Sequence, residues 1–196
     1  MGLNYFDRMD LPETARKRLT LALDEAERLK RLLNEVLLYA KNEVIHPVPV
    51  DINNLTREII ENITSTQVAI GKPIVFEAMP ESLIVLGDKD KLTQVLINLL
   101  QNAFEAVPEG EKVSVSFSSI TSSRQICLQV KNRGIPIPSE LLPNLTKPFI
   151  TTKSAGNGLG LAIVKKIVEA HAGKLEIESS AIAGTVVSVV LPTATS

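Results

Sequence analysis

The stretch QVLINLLQNAFEAV, Gln94–Val107, combines an apolar run with two asparagines four positions apart, Asn98 and Asn102. On a helical wheel of about 100° per residue, one broad sector contains Leu92, Val95, Leu96, Leu99, Leu100, Ala103 and Val107. The polar side chains Gln94, Asn98, Gln101, Asn102 and Glu105 occupy another, with Asn102 at the border between the two. Asparagine is a mediocre helix former, and an unpaired amide beside a core costs free energy. The pair is therefore either an ordinary wet helix face or the edge of a cavity that needs a neutral oxygen donor.

The composition around this helix is that of a folded protein with nearly balanced charge. The chain has 196 residues, 44% of them hydrophobic, and a formal net charge of -1. This length is sufficient for one compact domain plus an appendage. The balanced charge creates no overall field for nucleic acid, so we predict no nucleic-acid partner. The single cysteine, Cys127, lies in a strand-like stretch and is predicted to be a buried thiol. No apolar run reaches about 18 residues and no signal peptide is evident, so we predict a cytoplasmic region, whose parent protein could be membrane-anchored.

Two prolines divide the chain into unequal parts. From Pro12 to Lys41 the sequence follows a helical repeat with a broad apolar stripe, typical of a helix that packs in a bundle with a second chain. Leu3–Met9 looks like the end of another helix. Pro47 and Pro49 break the pattern. We therefore predict a partial helical hairpin over residues 1–45 and a globular domain over residues 46–196.

The globular part shows helices and strands without βαβ alternation. Its patterns predict helices over 51–69, 88–107 and 158–171, and strands over 73–76, 83–86, 112–118, 125–131, 174–179 and 185–191. This order predicts an α+β fold, a two-layer α/β sandwich in which three helices cover a mixed, largely antiparallel sheet. Residues 132–157 form a long irregular segment, and such loops are usually functional.

Glycine-rich segments lie at both ends of this loop. VKNRGIPIP, Val130–Pro138, follows a strand, and Gly134 permits a tight turn. This turn is either a purely structural feature or part of a binding site. In KSAGNGLGLAIVKKIVEAH, Lys153–His171, three glycines precede an amphipathic helix whose N-terminus could hold phosphate oxygens. Neither a P-loop nor a dinucleotide fingerprint is present. Beside phosphates, the carbonyl oxygen of Asn102 would serve Mg²⁺ without adding negative charge.

In this order and spacing, the segments resemble the C-terminal part of a sensor histidine kinase of two-component systems. That family shares its ATP fold with gyrase, heat-shock chaperone and mismatch-repair ATPases. QVLINLLQNAFEAV resembles the N box, KNRGIPIP the first glycine box, KPFITTK the F box, AGNGLGLAIVKKIVEAH the second glycine box, and AGTVVSVVLP the closing strands. The resemblance covers Val50–Pro192, and Leu11–Lys41 resembles the second helix of the family's dimerisation hairpin.

The resemblance implies ATP and Mg²⁺ as ligands and a set of residues that bind them. Asn102 would be the Mg²⁺ ligand, and Asn98 would lie beside the phosphates. Asn132 and Gly134 would lie at the adenine, with Thr185 near the base. The remaining ATP-binding residues would be Ile137 and Gly156, the lid residues Thr151, Thr152 and Lys153, and the lid hinge Gly158, Leu159 and Gly160.

Two positions depart from the family pattern in the first glycine box. Asn132 replaces the usual aspartate, which accepts a hydrogen bond from the adenine amino group. An amide oxygen accepts such a bond without charge assistance, so we predict ATP binding weaker by up to a few kcal/mol. Pro136 replaces a customary glycine and removes an N–H. The two changes mark either an adapted subfamily or a degraded nucleotide site.

The histidines provide the third departure. Only His46 and His171 are present, one in the interdomain linker and one at a helix end, and neither has the context of the family's phosphoacceptor. We therefore expect no catalytic residue in this chain and an acceptor histidine upstream, so that the chain binds ATP without autophosphorylation. The implied partners are the receiver domain of a response regulator and a second copy, through the hairpin. The alternatives are a gyrase-type or chaperone-type ATPase, in which a glutamate stands at the position of Asn98, and a nucleotide-degenerate scaffold.

Overall fold

The computed structural model describes residues 12–40, 44–80, 82–120, 123–151, 153 and 156–194. It divides the chain into two units, Met1–Ala40 and Lys41–Ser196. The first unit contains helix α1, Glu13–Ala40, which starts directly after Pro12. Leucines Leu21, Leu29, Leu33 and Leu37 of this helix are exposed. The predicted helix end at Leu3–Met9 lies outside the described residues.

The second unit is built on a five-stranded sheet. Its elements are β1 (Val48–Asp51), α2 (Ile52–Thr64), β2 (Ile74–Glu77), β3 (Ile84–Gly87), α3 (Lys89–Ala106), β4 (Val113–Ile120), β5 (Gln125–Asn132), α4 (Gly160–Ala170), β6 (Lys174–Ser180) and β7 (Gly184–Pro192). The strand order is β2-β4-β5-β7-β6, with β2 parallel to β4 and the other neighbours antiparallel. Helices α2, α3 and α4 pack on this sheet. The predicted α+β fold is thereby confirmed.

One strand differs from the prediction. Strand β1 contains residues 48–50, for which we predicted no element, and Asp51, which we placed at the start of a helix. It pairs antiparallel with β3 in a separate two-stranded sheet. Pro49 lies opposite Leu86 in this pair. Proline has no N–H to donate to a neighbouring strand, but an edge strand tolerates it. The two prolines therefore did not exclude a strand at this position.

The end of α2 also differs from the prediction. The helix was expected to continue to Ala69, but it stops at Thr64 and is followed by a 3₁₀ turn over Gln67–Ala69. The hydroxyls of Thr64, Ser65 and Thr66 each donate to the carbonyl three residues earlier. Such side-chain bonds compete with the helical ladder and favour termination.

The apolar sector of α3 forms the centre of the core. Its buried residues are Leu92, Val95, Leu96, Leu99, Leu100, Ala103 and Phe104. This confirms the predicted sector and adds Phe104, which is fully buried and was missing from it. On the neighbouring helix α4, Ala162, Ile163, Val164, Ile167 and Val168 are buried. The two helices are in contact, so the position of the α4 N-terminus is fixed by packing against α3.

A hydrogen-bond junction also joins the two helices. Asp88 caps α3 by accepting from the N–H groups of Asp90 and Lys91 at 3.1 and 3.2 Å, and it accepts from the N–H of His46 at 3.1 Å. The N–H of Asp88 donates to Nε2 of His171 at 3.0 Å. Nδ1 of this buried ring lies 2.7 Å from the carbonyl oxygen of Ile167. Since Nε2 accepts, the proton is assigned to Nδ1, and the imidazole is a neutral link between α4 and α3.

Substituting the Asp88 cap should have a pH-dependent cost. Partial burial acts to raise the pKa of Asp88, but the N–H groups of His46, Lys91 and Asp90 lower it below 3.8. A carboxylate with a lowered folded pKa stabilises the fold above its unfolded pKa and loses that effect as pH falls through the folded pKa. We expect Asp88→Ala to cost about 1 kcal/mol at pH 7. Denaturant unfolding should show this difference shrinking below pH 3.8.

The variant Asp88→Asn serves as the matched control, because it keeps an oxygen acceptor for the cap but cannot ionise. Its unfolding free energy should lack the acid-dependent contribution of Asp88. A constant difference between the wild type and Asp88→Ala across this pH range would contradict the role of the charged carboxylate.

Candidate functional site

The two asparagines of α3 face the start of α4. Asn98 and Asn102 are both half-buried, although the helical wheel placed only Asn102 at the border of the apolar sector. A Cβ placed on Gly160 would lie 3.4 Å from Oδ1 of Asn98 and 3.7 Å from Nδ2 of Asn102. The first residue of α4 therefore lies against both amides, with no side chain of its own between them.

The N-terminus of α4 carries no side-chain cap. Leu159 occupies the N-cap position and makes no capping hydrogen bond, and its side chain is fully buried in the core. The first turn of a helix has N–H groups without helical partners, and the helix dipole makes this end favourable for anions. Together with the two amides, it forms a polar corner suited to phosphate oxygens.

A lysine from the long loop reaches this corner. Nζ of Lys153 donates to Oδ1 of Asn102 at 2.8 Å and forms an ion pair with Glu105. The carbonyl oxygen of Asn102 thus accepts from a positively charged group in this structure. Glu105 was placed on the polar sector by the sequence but was given no role. It follows Asn102 by three residues, which puts both on one helix face.

Backbone contacts at the hinge residue Gly158 fix the position of the loop. Gly158 has a φ of +67°, and a Cβ there would lie 2.6 Å from the carbonyl carbon of Phe149 and 2.7 Å from the nitrogen of Ile150. The N–H of Phe149 donates to the carbonyl of Gly158 at 3.0 Å. Phe149 itself has a φ of 65°. Backbone contact therefore holds together the two ends of the segment that contains the lid residues.

Within the segment, the described lid residues form a local turn. The N–H of Lys153 donates to Oγ1 of Thr151 at 3.1 Å, and the N–H of Gly156 donates to the carbonyl of Lys153 at 3.3 Å. Thr152 lies outside the described residues. Among the described residues of this loop, hydrogen bonds connect Thr151 and Gly156 to Asn102 through Lys153.

A second group lies where β5 ends and β7 begins. Asn132 is opposite Thr185 in the β5–β7 register, and these residues are only 5% and 7% exposed. Oγ1 of Thr185 lies 2.8 Å from Oγ of Ser179, which also accepts from the N–H of Ile137 at 3.0 Å. Ile137 thus reaches the group through its backbone. Ser179 was not predicted, although its register position opposite Thr185 follows once β6 and β7 are paired.

Gly134 brings this group up to α3. A Cβ on Gly134 would lie 2.1 Å from the carbonyl oxygen of Ala106 and 3.2 Å from Nδ2 of Asn132. Any side chain would push the loop away from the helix. Both groups of predicted site residues therefore border α3, one near its middle and one near its C-terminal end.

More than half of the chain matches a known protein family. Residues 87–195 match the family described as histidine kinase-, DNA gyrase B-, and HSP90-like ATPase. The chain belongs to this family. The matched range is more than half of the chain and includes all of the predicted site residues, which confirms the family resemblance seen in the sequence.

Individual members of this family resemble the chain over nearly all of its length. Sporulation kinase C of Bacillus subtilis is 33% identical over 194 residues, which is 98% of this chain and 43% of that protein. Histidine kinase ThkA, in a crystal structure with the response regulator TrrA, is 33% identical with a TM-score of 0.78, covering 95% of this chain and 53% of ThkA. Full-length ShkA, in a crystal structure with AMPPNP, is 25% identical with a TM-score of 0.82, covering 97% of this chain and 41% of ShkA.

These similarities confirm the fold and show that histidine kinases are among the relatives of this chain. The chain spans about half the length of ThkA and less of the other two proteins.

Two further expectations from the sequence concern membrane spans and the cysteine. Among the described residues, the helices are too short or too polar to span a bilayer. Cys127 is buried as predicted, and this burial raises the pKa of its thiol.

Proposed function

We propose that this chain binds ATP with its phosphates at the corner between α3 and α4, and that it phosphorylates a histidine on a segment upstream of this sequence. The observation that carries the proposal is the approach of the uncapped α4 N-terminus at Gly160 to the amides of Asn98 and Asn102. Two neutral amides and open N–H groups can contact a polyphosphate without electrostatic repulsion. The complex of ShkA with AMPPNP supports this ligand class.

Asn102 is the proposed Mg²⁺ ligand at this corner. Its carbonyl oxygen is a ligand type that Mg²⁺ accepts, and the ammonium of Lys153 lies 2.8 Å from it, which supports a cation site at this atom. Bound Mg²⁺ would offset the negative charge of the phosphates. Lys153 would then exchange its contact with Asn102 for a phosphate oxygen, while Glu105 keeps the lysine nearby.

The residue at position 98 favours phosphotransfer over hydrolysis. A general base for water attack must accept a proton, which an amide does not do at neutral pH. Asn98 therefore provides hydrogen bonds beside the phosphates but no activation of water. This chemistry supports a kinase that transfers the γ-phosphate to an external acceptor rather than a gyrase-type ATPase.

The partners proposed for the full protein are a second copy and a response regulator. The exposed leucines of α1 are suited to a helical bundle formed by two copies. The structure of ThkA with the response regulator TrrA supports onward transfer to a receiver-domain aspartate. A cytoplasmic location is consistent with these partners.

The variant Gly160→Ala tests the phosphate corner without disturbing the fold. Its methyl group would make ordinary contacts of 3.4 Å and 3.7 Å with Asn98 and Asn102, and it would fill the space between the amides and α4. Alanine in place of glycine also favours the helix. We expect an unchanged or raised unfolding temperature, together with AMPPNP affinity lowered by about tenfold or more. Unaltered affinity would place the phosphates elsewhere.

Phosphotransfer requires a second experiment. This chain is mixed with a longer kinase chain that carries the acceptor histidine but has an inactivated ATP site, and radiolabelled ATP is added. We expect label on the longer chain and none on this one. Release of free phosphate without labelling of the acceptor would favour the ATPase alternative. Absence of nucleotide binding would favour the degenerate scaffold.

A further inference from the structure

The side chain of Asn132 has unused hydrogen-bonding capacity. It lies at the end of β5 and is only 5% exposed, and its Nδ2 atom has no hydrogen-bond partner among the described residues. A buried amide N–H without a partner costs free energy, and such groups are uncommon in folded proteins. Gly134 covers one side of Nδ2: a Cβ added to this glycine would lie 3.2 Å from it.

The neighbouring polar groups are already paired with one another. The hydroxyls of Thr185 and Ser179 lie 2.8 Å apart, and the N–H of Ile137 donates to Ser179. Asn132 is therefore the side chain in this group that is left to hydrogen-bond a ligand.

An amide and a carboxylate impose different demands on a purine ring. An ionised carboxylate only accepts, so it selects a ring that presents a donor, such as the 6-amino group of adenine, and opposes a 6-oxo group. An amide carries an acceptor and a donor side by side, and rotation by 180° about its last torsion exchanges them. One orientation matches the 6-amino and N1 pair of adenine; the other matches the 6-oxo and N1–H pair of guanine or hypoxanthine. Nδ2 makes no hydrogen bond in its present orientation, so rotation of the amide does not break any hydrogen bond of Nδ2.

We propose that Asn132 sets the base selectivity of this site and admits 6-oxopurine nucleotides as well as ATP. The proposal rests on the function proposed above and on the position of the base at Asn132, which the family resemblance implies. The ligand class is a purine nucleoside triphosphate with either an amino or an oxo substituent at position 6.

The test compares ATP with inosine triphosphate in the presence of Mg²⁺. Inosine triphosphate differs from ATP only at the 6-position and in N1 protonation, so it avoids any effect of the 2-amino group of guanine. Dissociation constants are measured by calorimetry for the wild type, for Asn132→Asp, and for Asn62→Asp. The last variant makes the same chemical change at an exposed position of α2 and controls for added charge.

We expect the wild type to bind the two nucleotides within about tenfold of each other, because the amide can pair with either edge. In Asn132→Asp the preference for ATP should increase by about tenfold or more, mainly through loss of inosine triphosphate binding. Asn62→Asp should keep the wild-type ratio.

Three results would overturn the inference. If the wild type binds ATP but prefers it by much more than tenfold, the base-selectivity proposal is wrong and nucleotide binding stands, whether or not Asn132→Asp folds. If Asn132→Asp is folded and keeps the wild-type ratio, Asn132 does not set selectivity. If neither nucleotide binds to the folded wild type at millimolar concentration, the proposed function is wrong and the inference falls with it.

Discussion

Replacing Asn102 by alanine is expected to weaken AMPPNP binding in the presence of Mg²⁺ by about 100-fold or more, since even supporting residues around a metal are worth 10- to 100-fold. The substitution removes the oxygen that we assign to the metal. It also removes the partner that holds Lys153 at the corner, at 2.8 Å in the structure. The affinity measured with Mg²⁺ should then fall close to the affinity measured with EDTA. Calorimetric titration under both conditions gives the two values.

Two further variants separate the metal role from general effects on α3. Gln101→Ala changes an exposed amide on the same helix and should leave both affinities unchanged. Asn102→Asp retains an oxygen ligand and should keep a difference between Mg²⁺ and EDTA. If Asn102→Ala remained folded and kept the full Mg²⁺ dependence, the metal would have another ligand.

Replacing Gly158 by alanine is expected to damage both stability and binding. Its φ of +67° strains any other residue, and the added Cβ would lie 2.6 Å from the backbone of Phe149. A sparsely populated backbone conformation costs about 1–3 kcal/mol, and the clash adds to this unless the hinge moves. Movement would separate Phe149 from Gly158 and shift the adjoining N-terminus of α4. We expect a lower unfolding free energy and AMPPNP affinity reduced by more than about tenfold.

Gly110→Ala provides the comparison for this variant. Gly110 has a φ of +86°, but a Cβ there would meet nothing within 4 Å. It therefore carries the backbone strain without the clash, and it should cost stability while leaving nucleotide affinity unchanged. Equal behaviour of Gly110→Ala and Gly158→Ala in both assays would show that the contact with Phe149 has no role in the site.

Local patterns were sufficient to predict the elements that surround the site. The 3.6-residue period of Gln94–Val107 defined the buried sector of α3, placed Asn98 on the polar side and placed Asn102 at the border between them. The glycines before α4 indicated an N-terminus open to anions. These features depend on residues close together in sequence, so periodicity and backbone preferences report them directly.

Contacts between residues far apart in the chain left no comparable pattern in the sequence. Lys153 meets Asn102 across 51 positions, and Asp88 meets His171 across 83. His171 was interpreted as a helix end, which is correct, but its burial and its bond to a backbone N–H depend on how α4 packs against α3. Ser179 and β1 were missed for the same reason, because strand pairing defines their partners. The family resemblance supplied roles for residues whose neighbours the sequence did not reveal.

The proposed nucleotide site is tested most directly by titrating the wild-type chain with AMPPNP, with Mg²⁺ and then with EDTA. We predict saturable binding of one nucleotide per chain in the presence of Mg²⁺ and a clear loss of affinity in EDTA. A folded chain that shows no binding at millimolar AMPPNP with Mg²⁺ would contradict the assignment of the α3–α4 corner as a nucleotide site.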